Sequence, residues 1–158
     1  MLTIFPDNAK LGLPSIDGLV ILNDRQTGKP LAILDGQAVT AYRTGAVGDV
    51  GIRHLSRKDC KTVGIVGAGT QGFHLALYAC AARPIETVYL YNHSDCDLTG
   101  YMERLRKSIA NPTVKVVQCK QVEELVKYSD IICTVTPSNT PVSSKDKELL
   151  RDKCIIAI

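Results

Sequence analysis

Thr62-Val63-Gly64-Ile65-Val66-Gly67-Ala68-Gly69-Thr70-Gln71-Gly72 is the stretch on which the reading of the fold turns. Its first five residues are mostly apolar and β-branched, which suits a buried strand. A G-x-G-x-x-G turn follows at once, and Phe73-His74-Leu75-Ala76-Leu77 continues as a helix would. Alone such a turn is a weak signal; between a strand and a helix it is much stronger. Gly67 allows the tight turn, Gly69 lets the backbone approach a phosphate pair, and Gly72 lets the helix lie close to the strand. Ala76, Ala79 and Cys80 extend that small-residue face. The free N–H groups and positive dipole end of the helix then meet the phosphates.

Downstream, strands and helices alternate. Strands are expected at Thr62–Val66, Thr87–Tyr91, Val114–Gln118, Asp130–Val135 and Lys153–Ile158. Helices are expected at Thr70–Ala82, Thr99–Ala110, Val122–Tyr128 and Ser144–Arg151. This order implies a parallel sheet with right-handed crossovers and helices on both faces, a Rossmann-type doubly wound α/β domain over 56–158. Such a domain binds the pyrophosphate of NAD or NADP. The second strand ends in Asn92-His93-Ser94, where an NAD site normally carries Asp or Glu for the ribose. Asn92 can bond a hydroxyl without repelling a 2′-phosphate, and His93 and Ser94 can donate to one. NADP is permitted, NAD is not excluded, and the missing acid argues against S-adenosylmethionine.

Upstream, residues 1–17 read as irregular because of Pro6 and Pro14. Leu19–Leu22 and Leu31–Leu34 read as a β-hairpin around Asp24–Pro30. Neither strand alternates cleanly, so both faces are expected to be covered, by strands outside the chain or from another subunit. A helix is expected from Gly36 to Leu55, packed through Val39, Tyr42, Ala46 and Val50. Gly45, Gly48 and Gly51 mark another face, which calls for close approach of a helix or a ligand. Residues 1–55 are thus read as part of a second, incomplete domain. Both ends look cut, and a longer natural protein is expected.

The remaining composition is bland. A net charge of +3, spread along the chain, does not suggest a nucleic-acid surface. No apolar run is long enough to span a bilayer, and the N-terminus lacks a secretory pattern, so a cytoplasmic protein is expected. The closest cysteines, Cys119 and Cys133, lie far outside C-x-x-C spacing and are read as reduced and structural. His74, beside the glycine loop, is read as packed or capping. No metal site is expected.

Phe5-Pro6-Asp7-Asn8, Gly28–Gly36, Arg43-Thr44-Gly45-Ala46 and Gly67–Gln71, in this order, resemble the ornithine cyclodeaminase/mu-crystallin family. Ile132–Pro137 resembles that family's fourth Rossmann strand, whose end lies near the nicotinamide. The resemblance implies that Arg43 binds a substrate α-carboxylate, as a guanidinium fork does well. It places Thr44 near the cofactor phosphates. The remaining cofactor contacts fall on Gly67, Ala68, Gly69, Thr70, Gln71, Asn92, His93, Ser94, Thr134, Val135 and Thr136. It further implies hydride transfer at the Cα of an amino or imino acid, with ornithine cyclodeamination as the named activity, and a homodimer of the longer parent protein rather than of this chain alone. Amino-acid dehydrogenase, imine reductase and non-catalytic nucleotide-binding relatives are the alternatives. The family's other carboxylate-binding basic residues and its catalytic acid match nothing in these residues. The chain alone is therefore expected to bind nucleotide without turnover.

Overall fold

A computed structural model describes residues 1–94, 96–138 and 150–158. The chain divides into two compact units, Met1–Arg43 and Thr44–Ile158, with the division inside one helix.

The second unit is built on a five-stranded parallel sheet. Its strands are β4 (Thr62–Val66), β5 (Thr87–Tyr91), β6 (Lys115–Gln118), β7 (Ile131–Thr134) and β8 (Cys154–Ala157). They lie in the order β6-β5-β4-β7-β8. Sequential strands step outward from β4 on one side, and β7 and β8 continue on the other. Helices α2 (Thr70–Ala82), α3 (Thr99–Ser108) and α4 (Val122–Tyr128) make the crossovers. The helix expected at Ser144–Arg151 lies mostly outside the described residues; Leu150 and Arg151 form a turn.

Strand alternation divides the core into two layers. Val63 and Ile65 of β4 pack with Leu75, Ala76, Ala79 and Leu105 of α2 and α3. Val66 and Ile132 pack with Val122, Leu125 and Val126 of α4 on the other face. Ile65, Leu75, Leu105 and Leu125 are fully buried, and each such side chain contributes about 1.5–3 kcal/mol.

Helix α1 (Gly36–Leu55) has the expected bounds but a different packed face. Thr44, Gly45, Gly48 and Ile52 are buried, whereas Tyr42 and Val50 are exposed. The glycines explain why. A Cβ on Gly45 would lie 2.7 Å from the Tyr78 ring and 3.0 Å from His74 Cβ, and one on Gly51 would lie 3.0 Å from Ile156. One on Gly48 would run into Leu75. The glycine stripe is therefore a groove in which α2 and β8 lie against α1. Arg83 then caps the end of α1, donating to the carbonyls of Ile52, Arg53, Ser56 and Arg57.

The first unit holds a three-stranded antiparallel sheet, β1 (Leu2–Ile4), β2 (Ile16–Asn23) and β3 (Pro30–Asp35). β1 corrects the expectation of an irregular N-terminus. Its three residues pair with Ile16–Gly18, and Pro6–Leu11 form a 3-10 helix that turns the chain between the strands. The β2–β3 hairpin is held by Asp24, whose Oδ1 accepts from the Gln26 and Thr27 N–H groups and the Thr27 hydroxyl. Leu19, Ile21, Leu31 and Ile33 share a face by pairing register and alternation, and each is more than half exposed.

Candidate dinucleotide site

In an open parallel sheet, ligands bind outside the carboxyl ends of the strands where the strand order reverses. Here that point lies between β4 and β7. A cleft of about 740 Å³ opens there, lined by Gly67–Gly69 after β4, Tyr91–Ser94 at the end of β5, and Val135–Ser138 after β7.

The three glycines of the loop are fixed by three different circumstances. Gly67 has φ +111°, and a Cβ on it would lie 2.7 Å from the Val135 carbonyl oxygen. A Cβ on Gly72 would strike the Gly67 carbonyl, so α2 starts in direct contact with the turn. Gly69 differs: a Cβ there would meet nothing within 4 Å among the described residues, and its φ is −97°. The fold itself does not require glycine at 69. A ligand pressed against the loop would.

Other features fit a dinucleotide. Among the described residues no side chain caps the N-terminus of α2, where Gly69 occupies the N-cap position, so the helix start is available to an anion. Gln71 Oε1, in the first turn, is buried and has no hydrogen-bond partner among the described residues. Buried acceptors are normally paired, and a bound hydroxyl or water would pair this one. The residues present therefore fit the cofactor.

Around the loop, Gly67 N–H donates to the Tyr91 carbonyl at 2.8 Å and Ala68 N–H to Asn92 Oδ1 at 3.2 Å. The Tyr101 hydroxyl donates to the Gly69 carbonyl at 3.3 Å. Burial pushes the Tyr101 phenol well up, with only partial relief from Arg104, so it stays a donor. The Arg104 guanidinium lies 4.5 Å from the centre of the Phe73 ring, which meets Tyr101 edge-on. His74 is half-buried against Phe73; desolvation and then the Arg104 charge lower its basicity. That environment matches a packed role.

Of the residues singled out from sequence, Gly67, Ala68, Gly69, Asn92, His93, Ser94, Val135 and Thr136 line the cleft together. Thr70, Gln71 and Thr134 adjoin them in the chain. Thr44 is 8% exposed on the packed face of α1 and does not line the cleft. Arg43 is an exposed residue of α1 in the first unit. Sequence reasoning missed Tyr91, Pro137 and Ser138 as lining residues; the switch-point rule, applied to the ends of β5 and β7, finds them.

A smaller cavity of about 270 Å³ lies at the opposite, amino-terminal end of the strands, bordered by Arg57, Cys60, Asp130 and Lys153. Asp130 is hydrogen-bonded to Lys61, Thr62 and Arg57, and Lys153 to the Lys127 and Ser129 carbonyls. Its charged groups serve the fold.

The sequence matches the ornithine cyclodeaminase/mu-crystallin family over residues 1–151, and the chain belongs to that family. It is 37% identical over 145 residues to a Delta(1)-pyrroline-2-carboxylate reductase of Bacillus cereus, covering 92% of this chain and 44% of the relative. The structure resembles Thermococcus litoralis Delta(1)-pyrroline-2-carboxylate reductase in complex with NADH and L-proline. The TM-score is 0.82 and the identity 34%, over 90% of this chain and 43% of that one. It also resembles a lysine cyclodeaminase, with TM-score 0.73 and 29% identity, over 90% of this chain and 41% of that one. The chain thus spans less than half the length of these relatives.

Proposed function

We propose that the chain binds NAD(H) or NADP(H) in the cleft at the ends of β4, β5 and β7, and that the whole protein to which it belongs serves reduction of a cyclic imino acid. The open position at Gly69 carries the binding assignment. The likeness to pyrroline-2-carboxylate reductases, higher in identity than that to the lysine cyclodeaminase, supports the imine as substrate class.

When bound, the reduced nicotinamide supplies a hydride. The glycine loop and the α2 N-terminus hold the pyrophosphate through backbone N–H groups. Thr134-Val135-Thr136, leaving β7 beside the loop, form the wall assigned to the nicotinamide end. Arg43 remains the residue assigned to the substrate carboxylate, on the family resemblance. None of these residues is assigned proton transfer.

Cyclodeamination of ornithine is the second reading, favoured by the likeness to the lysine cyclodeaminase. Product balance separates the two. Imine reduction oxidises one NAD(P)H per product, whereas ornithine cyclodeamination yields proline and ammonia with no net change in cofactor. Nucleotide binding without catalysis would give neither product. The family resemblance also supports a homodimer of the whole protein through the sheet that holds the β2–β3 hairpin; sedimentation tests it.

The deciding experiment is a fluorescence titration of the purified chain with NADH and with NADPH. Saturable binding of either supports the assignment. A folded chain that binds neither overturns it.

A further inference from the structure

We propose that Asn92 is a positioning residue that clamps the glycine loop to the end of β5, a reading that rests on the dinucleotide assignment above. The position is one where a ribose-reading acid is usual, yet the contacts account for an amide. A side-chain amide offers two donors and one acceptor oxygen. Here Oδ1 accepts the Ala68 N–H at 3.2 Å, and Nδ2 donates to the Ser94 carbonyl at 3.2 Å and to Cys96 Sγ at 3.3 Å. Both donors and the oxygen are engaged within the protein. A carboxylate has no donor for Ser94 or Cys96 and would set its charge against the Ser94 carbonyl oxygen.

The same contacts define what remains for the ligand. Gly67 and Ala68 N–H are tied to Tyr91 O and Asn92 Oδ1. The loop is thereby fastened at two successive residues to the strand that ends beside it, before any phosphate arrives. Pre-formed loops lower the ordering cost of binding. Asn92 thus acts equally on NADH and NADPH, and discrimination between them passes to the exposed His93 and Ser94, which line the same cleft.

The test combines amide hydrogen exchange with titration. In the unliganded chain, Asn92→Ala is expected to raise exchange at residues 67–69 roughly three- to tenfold, the loss of about one net hydrogen bond. It should weaken NADH and NADPH by the same factor. Asn92→Asp keeps an acceptor for Ala68 and should retain protection at 67–69, while Ser94 and Cys96 exchange faster and NADPH weakens more than NADH. Unchanged exchange at 67–69 in Asn92→Ala would overturn the clamp, as would a loss confined to one cofactor. Should Asn92→Ala fail to fold, loss of protection at 67–69 in Asn92→Asp would overturn it equally. Should the unsubstituted chain bind neither cofactor, the dinucleotide assignment falls and the exchange result still decides the clamp.

Discussion

Thr62 and Asp130 exchange hydrogen bonds in both directions: the Thr62 hydroxyl donates to Asp130 Oδ2 at 2.8 Å, and the Asp130 N–H donates to Thr62 Oγ1 at 2.9 Å. Oδ2 also accepts the Lys61 and Thr62 N–H groups, and Arg57 reaches Oδ1 at 3.3 Å. The pair fastens β4 to β7 at the end away from the cleft, so the two strands that flank the switch point start in fixed register. Burial pushes the Asp130 carboxyl up, but hydrogen bonds from Lys61 and Thr62 and the Arg57 charge outweigh it, and the net shift is downward.

A lowered carboxylate contributes stability that is present above its unfolded value of about 4 and is lost as pH falls through the folded value. Thermal melts of the chain should therefore show stability declining below about pH 4. In Asp130→Ala this component disappears, and stability at pH 7 falls by about 2–3 kcal/mol, because several donors lose a charged acceptor. A melting temperature at pH 7 equal to that of the parent would contradict the account.

Gly69 and Gly72 are three residues apart and should respond oppositely to alanine. Among the described residues Gly69→Ala meets open space and should cost less than about 1 kcal/mol, the scale of a helix N-cap change. It should still weaken dinucleotide binding by at least about tenfold, since the methyl occupies the approach to the loop. Gly72→Ala drives a methyl into the Gly67 carbonyl and should cost about 2 kcal/mol or more, within the range for overpacking. Parallel melts and titrations separate the two. Equal binding by Gly69→Ala and the parent chain would remove the reason for glycine there.

The α/β alternation and the glycine loop were legible because strand and helix periods are local. Thr62–Val66, Thr87–Tyr91, Thr70–Ala82 and Val122–Tyr128 match their expected bounds. The packed face of α1 was not legible from apolar residues. Val39, Tyr42, Ala46 and Val50 have helical spacing, yet the helix packs through Thr44, Gly45, Gly48 and Ile52. Backbone proximity at the glycines outweighs side-chain hydrophobicity when the opposing face carries Tyr78 and Leu75. β1 was missed for a related reason: its partner strand lies a dozen residues away, beyond two prolines, and only three residues pair. At the cleft, the residue types at 92–94 were visible, but the engagement of Asn92 with Ala68, Ser94 and Cys96 is tertiary and leaves no trace in spacing.

The six cysteines should separate by alkylation rate. Cys96 is exposed, whereas Cys60, Cys119 and Cys133 are buried. Desolvation pushes the Cys133 thiol up to about 12 and those of Cys80 and Cys119 to about 11. The thiolate is the nucleophile, so these three are protonated at neutral pH, and Cys119 and Cys133 are also buried. Iodoacetamide at pH 7.5, read by peptide mass spectrometry, should label Cys96 first, and NADH should slow that reaction because Cys96 contacts Asn92 at the cleft. Labelling of Cys133 before Cys96 in the folded chain would show that the core opens.

Arg83 joins the end of α2 to the end of α1 and offers the sharpest test of how the second unit is held. Its Nη2 donates to the Ile52, Arg53 and Ser56 carbonyls at 3.0, 2.8 and 3.0 Å, and its Nε to Arg57 O at 2.8 Å. The last carbonyls of a helix have no partner within it, and a cation there also meets the negative end of the dipole. One planar fork satisfies several acceptors at once, which an ammonium on a flexible stem does not. Arg83→Lys should therefore keep the charge and still lose about 1–2 kcal/mol, and Arg83→Met about 2–3 kcal/mol. Urea unfolding of the three chains gives the order. If Arg83→Lys were as stable as the parent chain, the charge alone would suffice and the hydrogen-bonded fork would not be what closes α1.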